Sequence, residues 1–140
     1  MATCEMDATT PKHLAGKYAI VGVGETTYRR GSTETTRNLA TWAIGNALDD
    51  AGLSADQVDG MLSYSGGDST MSNFVAGDLG IRLNFYMDVF GGGSSIEALV
   101  GIAMGVIEAG MCNTVAIFRA MNGFSQVRIG GTGARSAVPI

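Results

Sequence analysis

The sequence predicts an α/β fold with a doubly wound, mostly parallel sheet and helices on both faces. Short apolar runs typical of strands alternate with helical patterns in the order β-α-β-α-β-α-β. The first of these runs is continuously apolar and β-branched, as expected for a parallel strand covered on both sides. Right-handed crossovers place the helices on the two faces, and ligands of such sheets bind at the carboxyl ends of the strands.

The composition indicates one domain whose surface has fewer charged residues than usual. The chain has 140 residues, of which 16% are charged, whereas about a quarter are charged in typical soluble domains. We therefore expect part of the surface to meet a partner or a further stretch of chain. The net charge of −4 argues against nucleic acid and anionic membrane as main partners, because both select a basic patch.

The amino-terminal residues 1–16 read as a disordered lead-in without the apolar core of a signal peptide. Residues 17–140 then form the predicted domain. Cys4 and Cys112 stand in unlike contexts and suggest no disulfide framework, so we expect a cytoplasmic protein. The ten uncharged residues between Glu97 and Glu108 are too few for a membrane span.

The elements follow in order from local patterns. The first strand is Lys17–Gly24, and a helix capped by Thr35 or Thr36 runs to about Asp50, with Gly52 ending it in the left-handed conformation. The inner face of this helix comprises Leu39, Ala43, Ala47, Ala40, Ile44 and Leu48. The later predicted elements are a capping-box turn at Ser54 and Gln57, a strand Val58–Tyr64, a short helix Phe74–Leu79 ended by Gly80, a strand Phe85–Phe90 buried on both faces, a helix from Ser94 or Ser95 to Gly110, and a strand Thr114–Met121.

The bend between the third strand and the third helix is the candidate site. Gly91, Gly92 and Gly93 are followed by Ser94 and Ser95. Glycines can adopt positive φ and let other groups approach the backbone, and a helix start offers free N–H groups and a positive dipole end. We expect these five residues to bind a ligand.

Local patterns also predict how this helix begins and what it packs against. Ser94 and Glu97 have capping-box spacing. Ala98, Gly101 and Gly105 form one face of the helix, and interior glycines imply close approach by another helix. Because no later segment of the chain could supply that helix, we expect it on another segment or chain.

No catalytic residue and no metal site is assigned. A serine nucleophile needs a base, and the single histidine is His13 in the lead-in. Cys112 reads as a small buried hydrophobe, and no Cys, His or carboxylate cluster has the spacing of metal ligands. The polar side chains near the end of the fourth strand are interpreted as solvated, with anion binding as the minor alternative: Arg119, Asn122, Arg128 and Arg135.

Four segments carry a resemblance to a known family: YAIVGVGETTY, ALDDAGLSADQVDGM, DVFGGGSSIEALVGIAMGVIEAG and TVAIFRAMNG. Together they resemble the amino-terminal half of the thiolase superfamily, most closely the lipid-transfer branch related to the thiolase domain of sterol carrier protein X. In thiolases this bend carries the acyl-accepting cysteine, which corresponds to Gly92 here. A glycine cannot form a thioester, so the resemblance departs from thiolase chemistry at that residue.

The glycine bend followed by RAMNG is similar to the thiolase-like aldolases of bacterial steroid side-chain breakdown. The resemblance implies retro-aldol cleavage of a β-hydroxyacyl-CoA, with coenzyme A as part of the substrate and no covalently bound cofactor. It implies a substrate-binding role for the bend residues and Asn122. It also implies a homodimer joined through Phe85–Phe90, and a small partner of the DUF35 type with a zinc ribbon and an OB fold.

A thiolase has two similar halves, and the resemblance implies that the histidine and second-cysteine motifs belong to a later half that this chain does not reach. Two alternatives stay open. One is a genuine acyl-CoA acyltransferase that uses another nucleophile. The other is a non-catalytic assembly subunit, which the low charge content and the helix glycines favour.

Overall fold

The computed structural model describes residues 14–125, which form a parallel sheet of three strands flanked by helices. The strands are β1 (Gly60–Ser65), β2 (Phe85–Phe90) and β3 (Val115–Phe118). The α-helices in this part of the chain are α1 (Thr36–Ala51), α2 (Ser72–Leu79) and α3 (Ser95–Glu108), and a 3₁₀ turn spans Ala55–Gln57.

The central strand of the described sheet is β1, in the order β2-β1-β3. Both pairings are parallel, and Ser63 lies opposite Asp88 on one side and Phe118 on the other. Because β1 is paired on both edges and covered on both faces, its residues Gly60 to Tyr64 are all buried. The carboxyl ends of the strands therefore meet at one edge of the sheet, as the fold class predicts.

Two hydrophobic clusters lie on opposite faces of the sheet. On one face, Met61 packs with residues of α1 and α2 such as Ile44 and Val75. On the other face, Leu62 packs with Leu99 of α3. This arrangement confirms the predicted α/β class with helices on both faces.

Helix α1 forms as its sequence predicts. The Thr35 side chain accepts a hydrogen bond from the Asn38 N–H, and Gly52 ends the helix at φ 66°. Leu53 N–H donates to Leu48 O at 2.9 Å, which completes a Schellman-type end. The following turn carries the predicted Ser54–Gln57 capping box, and Gly80 ends α2 at φ 69°.

The predicted first strand, Lys17–Gly24, is wrong as a strand of the described sheet. Its backbone runs over α1, where a methyl group on Gly22 or Gly24 would collide with the backbone of that helix. Val21 and Val23 are 61% and 72% exposed. The β-branched composition marked an extended segment correctly, but strand pairing depends on a neighbour, and residues 14–125 provide none here.

Two other strands are displaced or shortened relative to their predicted bounds. The strand predicted at Val58–Tyr64 begins at Gly60, because Val58 closes the preceding turn. The strand predicted at Thr114–Met121 ends at Phe118.

The apolar elements β2 and α3 are less buried than predicted. Strand β2 has the predicted bounds, but it is an edge strand of the described sheet, so Tyr86 and Phe90 are 53% and 81% exposed. In α3 only Leu99 and Ala103 are buried. The face of Ala98, Gly101 and Gly105 is exposed, which leaves the predicted helix partner outside residues 14–125. None of the helices in the described range could cross a membrane.

The predictions for the two ends of the chain fall largely outside these residues. Cys4, His13, Arg128 and Arg135 lie there, as does most of the predicted lead-in. The domain bounds at 17 and 140 stay a prediction.

Candidate functional site

The glycine bend, Gly91–Gly93, connects the carboxyl end of β2 to the start of α3. All of its residues are exposed, and so is Ser94. Ser95 N–H donates to Gly92 O at 3.0 Å, which closes the bend into the first helical turn. The bend thus lies at the strand-end edge, where ligands of parallel sheets bind.

None of the three glycines of the bend adopts the positive φ that glycine permits. A methyl group on Gly91 would collide with Ser95 Oγ, whereas one on Gly92 or Gly93 would meet nothing within 4 Å. Neither the backbone conformation nor the packing within residues 14–125 therefore requires glycine at 92 and 93.

Helix α3 begins at Ser95, one of the two predicted starts, but the capping box indicated by the Ser94–Glu97 spacing is wrong. Ser94 has helical dihedrals, φ −71° and ψ −6°, and its side chain makes no capping hydrogen bond. A cap residue normally adopts extended dihedrals so that its side chain can reach back to the helix. The first-turn N–H groups of α3 are thus left without this side-chain acceptor, and they carry the positive end of the helix dipole.

A cleft of about 710 Å³ opens beside this helix start. Gly93 and Ile96 contribute the α3 side of its lining, and Met121 and Phe124 contribute apolar side chains from the segment after β3. Tyr64, Asp68 and Arg119 supply the remaining polar groups, together with Gly123. The cleft is therefore mostly apolar with one charged pair in its wall.

That pair joins Arg119, which follows β3, to Asp68 in the loop after β1. The Arg119 Nη2 group donates to both carboxylate oxygens of Asp68 at 2.7 Å. The Nη1 group donates to Tyr64 O at 3.0 Å, and the guanidinium lies 4.4 Å from the centre of the Tyr64 ring. The interpretation of Arg119 as a solvated arginine is wrong, because its side chain is 16% exposed and that of Asp68 only 4%.

A second carboxylate, that of Asp88, links β2 to β1 and to α2 near the cleft. Asp88 of β2 accepts hydrogen bonds from Ser63 Oγ at 2.5 Å, Ser72 Oγ at 2.6 Å and Ser72 N–H at 2.9 Å. Ser63 and Ser72 are fully buried. Asp88 thereby ties β1 to the first turn of α2, where a negative charge is favourable.

Asn122, predicted to line the ligand site, is buried and holds the loop before α1. Its side-chain amide donates to Ser32 O at 3.0 Å and Glu34 O at 2.8 Å. Beside it, the Arg30 guanidinium lies 5.0 Å from the centre of the Phe124 ring at the cleft. Asn122 is thus close to the cleft along the chain, and a ligand contact by its side chain stays a prediction.

The described residues offer no conventional nucleophile and base. Residues 14–125 contain no histidine. Cys112 is 3% exposed and lies in the turn after α3, and burial, with the nearby Asp59 charge, raises the pKa of its thiol. Within this range no group of three or more His, Cys, Asp or Glu side chains could hold a metal.

Tyr64 and Asp68 line the cleft although sequence reasoning gave them no role, and Arg119 was considered for anion binding only as the minor alternative. Their positions at the carboxyl ends of predicted strands were a usable signal. The ion pair itself joins residues 51 positions apart, and nothing local in the sequence indicates it.

No protein-family model matches the chain. Among curated proteins, a 17-hydroxy-3-oxo-4-pregnene-20-carboxyl-CoA lyase of Mycobacterium tuberculosis is 36% identical over 118 residues, which are 84% of this chain and 30% of that protein. A steroid side-chain-cleaving aldolase of Thermomonospora curvata is 35% identical over 119 residues, with the same shares of 84% and 30%.

Solved structures give the same relationship. The Ltp2-ChsH2(DUF35) aldolase superposes with a TM-score of 0.73 at 33% identity, covering 81% of this chain and 30% of that chain. A monomeric SCP2-thiolase-like protein of Mycobacterium smegmatis gives a TM-score of 0.59 at 29% identity, covering 70% of this chain and 22% of that one. A 3-oxoacyl-[acyl-carrier-protein] synthase III of Aquifex aeolicus, 21% identical with a TM-score of 0.57, shares the fold alone.

The layered parallel sheet and the bend at the head of α3 define a protein of the thiolase-like class. Within that class, the chain belongs to the branch that contains the steroid side-chain-cleaving aldolases. It spans about 30% of the length of these curated relatives.

Proposed function

We propose that the chain is the part of a thiolase-like aldolase that binds a β-hydroxyacyl-CoA for retro-aldol cleavage. One observation carries this proposal: the bend has an exposed glycine, Gly92, with nothing within 4 Å of a Cβ atom built there. In the thiolase resemblance this is the position of the acyl-accepting cysteine. A site without that nucleophile but with the donors of a helix start suits a reaction that forms no acyl-enzyme.

The reaction is balanced without a covalent intermediate. A base takes the proton of the β-hydroxyl group, the bond between the α- and β-carbons breaks, and its electron pair moves to the α-carbon. The negative charge is shared with the thioester oxygen as an enolate, which is then protonated at carbon. The products are a carbonyl compound and a shortened acyl-CoA.

The proposed role of the bend is to stabilise that enolate. Gly91, Gly92, Gly93, Ser94 and Ser95 would form the floor of the acyl site. The Ile96 and Glu97 N–H groups in the first turn of α3 would donate to the thioester oxygen, because Ser94 does not cap them and the Ser95 N–H is already bonded to Gly92 O. Preorganised donors of this kind favour a developing charge. Asn122 would line the site indirectly, by holding the loop at Ser32 and Glu34 beside the cleft.

The substrate and partners of the whole protein are part of the proposal. The relatives are named as a lyase of a steroid carboxyl-CoA and as a steroid side-chain-cleaving aldolase, which supports a steroid or related acyl group joined to coenzyme A. One solved relative is an Ltp2-ChsH2(DUF35) aldolase, which supports a DUF35-type partner. A homodimer joined through Phe85–Phe90 and a cytoplasmic location complete the proposal.

The substitution Gly92→Val tests the role of the bend. The backbone at Gly92 lies outside the left-handed region, and a Cβ atom added there meets nothing within 4 Å, so we expect the variant to fold. A branched side chain over the helix start should exclude the thioester oxygen and reduce kcat/KM by about a hundredfold or more, the loss that follows when one oxyanion donor is removed. The measurement is release of shortened acyl-CoA by the complete protein with its DUF35-type partner.

The matched control is Gly77→Val, at an exposed and open glycine of α2 away from the bend. It should retain the activity of the unmodified protein. Equal activity of the Gly92→Val variant and the control would remove the bend from the site. Intact-mass analysis after incubation with an acyl-CoA distinguishes the acyltransferase alternative, since only that reaction adds an acyl group to the protein.

A second candidate function is that of a non-catalytic assembly subunit. The exposed face of Ala98, Gly101 and Gly105 favours it, because small residues on a helix allow close approach by another helix. A complex in which all cleavage activity survives Gly92→Val but is lost when the chain is withdrawn would favour this candidate over the aldolase.

A further inference from the structure

Arg119 is the polar side chain of the cleft whose surroundings are most completely defined. It leaves the end of β3, crosses the face of Tyr64 at 4.4 Å and ends at Asp68. Both members of the ion pair line the cleft, which also contains Gly93 at the head of α3. The guanidinium therefore has a fixed position in the same space as the proposed thioester site.

The hydrogen bonds of Arg119 leave part of its guanidinium unused. The Nη2 group is occupied by Asp68, and one Nη1 hydrogen is directed to Tyr64 O. A guanidinium has five N–H donors. Among residues 14–125 the Nε hydrogen and the second Nη1 hydrogen have no acceptor, although the side chain is only 16% exposed.

The charge of this group is already balanced. Asp68 is 4% exposed at its side chain and binds the cation through both oxygens. A neutral pair attracts a phosphate weakly, but its unused N–H groups still donate strongly to a carbonyl or hydroxyl oxygen. The remaining lining is mostly apolar, with Ile96, Met121 and Phe124, which suits an uncharged acyl group better than the nucleotide of coenzyme A.

We propose that Arg119 is a specificity-determining residue that donates a hydrogen bond to the β-hydroxyl oxygen of the bound acyl group, with Asp68 and Tyr64 holding the guanidinium in place. This inference rests on the proposed function and adds a residue to it. The helix start of α3 donates hydrogen bonds to the thioester oxygen, and Arg119 donates one to the hydroxyl oxygen. An acyl-CoA without the hydroxyl group leaves the Arg119 donors unpaired in an apolar cleft, and the protein thereby discriminates against it.

The test uses two thioether analogues of the substrate, one with and one without the β-hydroxyl group. Each has a methylene in place of the thioester carbonyl, so it cannot form an enolate and is not cleaved. Their dissociation constants are measured by calorimetry on the complete protein and on its Arg119→Lys variant. Lysine keeps the charge beside Asp68 but lacks the planar fork of donors.

We expect the unmodified protein to bind the analogue with the hydroxyl group about tenfold more tightly than the analogue without it, which is the gain in affinity that a charge-assisted hydrogen bond gives. In Arg119→Lys the two analogues should bind with similar affinity. Binding of the analogue without the hydroxyl should be similar in both proteins, and it shows that the cleft is folded. An equal hydroxyl gain in both proteins overturns the inference. If Arg119→Lys binds neither analogue, the double variant Arg119→Gln/Asp68→Asn is used in its place, because it leaves no buried charge unpaired.

A second pair of ligands distinguishes the contact made by Arg119. The pantetheine forms of the two analogues lack the nucleotide, and the hydroxyl gain should persist in them. An effect of Arg119→Lys confined to ligands that carry the nucleotide would place Arg119 at a phosphate and overturn the inference. Cleavage by the unmodified protein is assayed separately, so failure of the aldolase proposal is seen as absent turnover and leaves the binding comparison readable.

Discussion

Gly60, the first residue of β1, occupies a space with no room for a side chain. A methyl group there would lie 2.8 Å from Val115 Cγ2 and 3.0 Å from Cys112 Sγ. We expect Gly60→Ala to lower the free energy of unfolding by about 1–3 kcal/mol, as overpacking of a buried site does. Urea denaturation of the purified chain measures this change.

The matched control for Gly60 is Gly45, inside α1. A methyl group at Gly45 meets nothing within 4 Å, and alanine is favoured over glycine in a helix by up to about 1 kcal/mol. Gly45→Ala should therefore raise the free energy of unfolding. Equal changes in the two variants would show that the space around Gly60 does not limit the side chain.

Single residues of the site were predictable where their role is local. The glycine bend could be found from the sequence, because a strand, a glycine run and a helix follow one another. The Asp68–Arg119 pair could not, because it depends on β1 and β3 lying side by side. The conformation of the bend was also out of reach, since the same three glycines permit both positive and negative φ.

At the scale of elements, Asp59 ties together the beginnings of all three described strands. Its carboxylate accepts hydrogen bonds from the Asn113 and Thr114 N–H groups before β3 and from Asn84 Nδ2 before β2. Burial acts to raise the pKa of this carboxyl, but the hydrogen bonds from Thr114, Asn113 and Asn84 outweigh it and hold the pKa below its ordinary value. The ionised form is thus the one that the folded sheet favours.

This linkage predicts a pH dependence of stability. A carboxyl with a depressed pKa in the folded state stabilises the fold above the pKa of the unfolded chain, and that contribution is lost as the pH falls through the folded pKa. We expect Asp59→Asn to cost about 1 kcal/mol at pH 7. The difference from the unmodified chain should shrink as the pH falls below about 4, where the carboxyl of the unfolded chain becomes protonated, and should vanish once the folded carboxyl is protonated too. Urea denaturation at a series of pH values measures it.

The control for Asp59 is Asp56→Asn, at an exposed position of the 3₁₀ turn. Its effect should stay within about 0.5 kcal/mol, as for most surface substitutions. A difference between Asp59→Asn and the unmodified chain that is constant from pH 7 to pH 3 would contradict the role given to the Asp59 charge.

Elements were predictable to the extent that their signals are contained within them. Thr35 and Gly52 mark the ends of α1 because caps act on neighbouring backbone groups. The segment 17–24 has a clear β-branched pattern, but this pattern alone does not make a strand, because a strand also needs a paired neighbour. The exposure of Tyr86 and Phe90 was missed for the same reason, since edge position is a property of the sheet.

At the scale of the whole molecule, β2 is an edge strand of the described sheet, and it carries an exposed tyrosine, Tyr86. An edge strand presents unpaired N–H and C=O groups to another chain. If the proposed dimer forms through Phe85–Phe90, Tyr86→Glu should bring like charges together and convert the complete protein to single chains. Light scattering during size exclusion measures the mass.

The control is Met111→Glu, which adds the same charge at another exposed apolar residue, in the turn after α3. It should leave the mass of the assembly unchanged. A mass that is the same for Tyr86→Glu and Met111→Glu would contradict a dimer through β2.

The class of fold was predictable at this scale because alternating strand and helix patterns with parallel crossovers allow few arrangements. The number of strands in the described sheet was not. The sequence pattern indicates where the chain is extended, whereas the count depends on which extended segments find partners among the residues present.

The unpaired course of segment 17–24 has a consequence for solvent exchange. The backbone N–H groups of Ala19, Ile20 and Val21 have no acceptor among residues 14–125, whereas Val23 N–H is held by Asp50 Oδ2 at 2.9 Å. Deuterium should replace the three unbound protons within seconds and those of buried β1 far later. Slower exchange of these three protons in a larger assembly would show that a neighbouring chain binds to this segment.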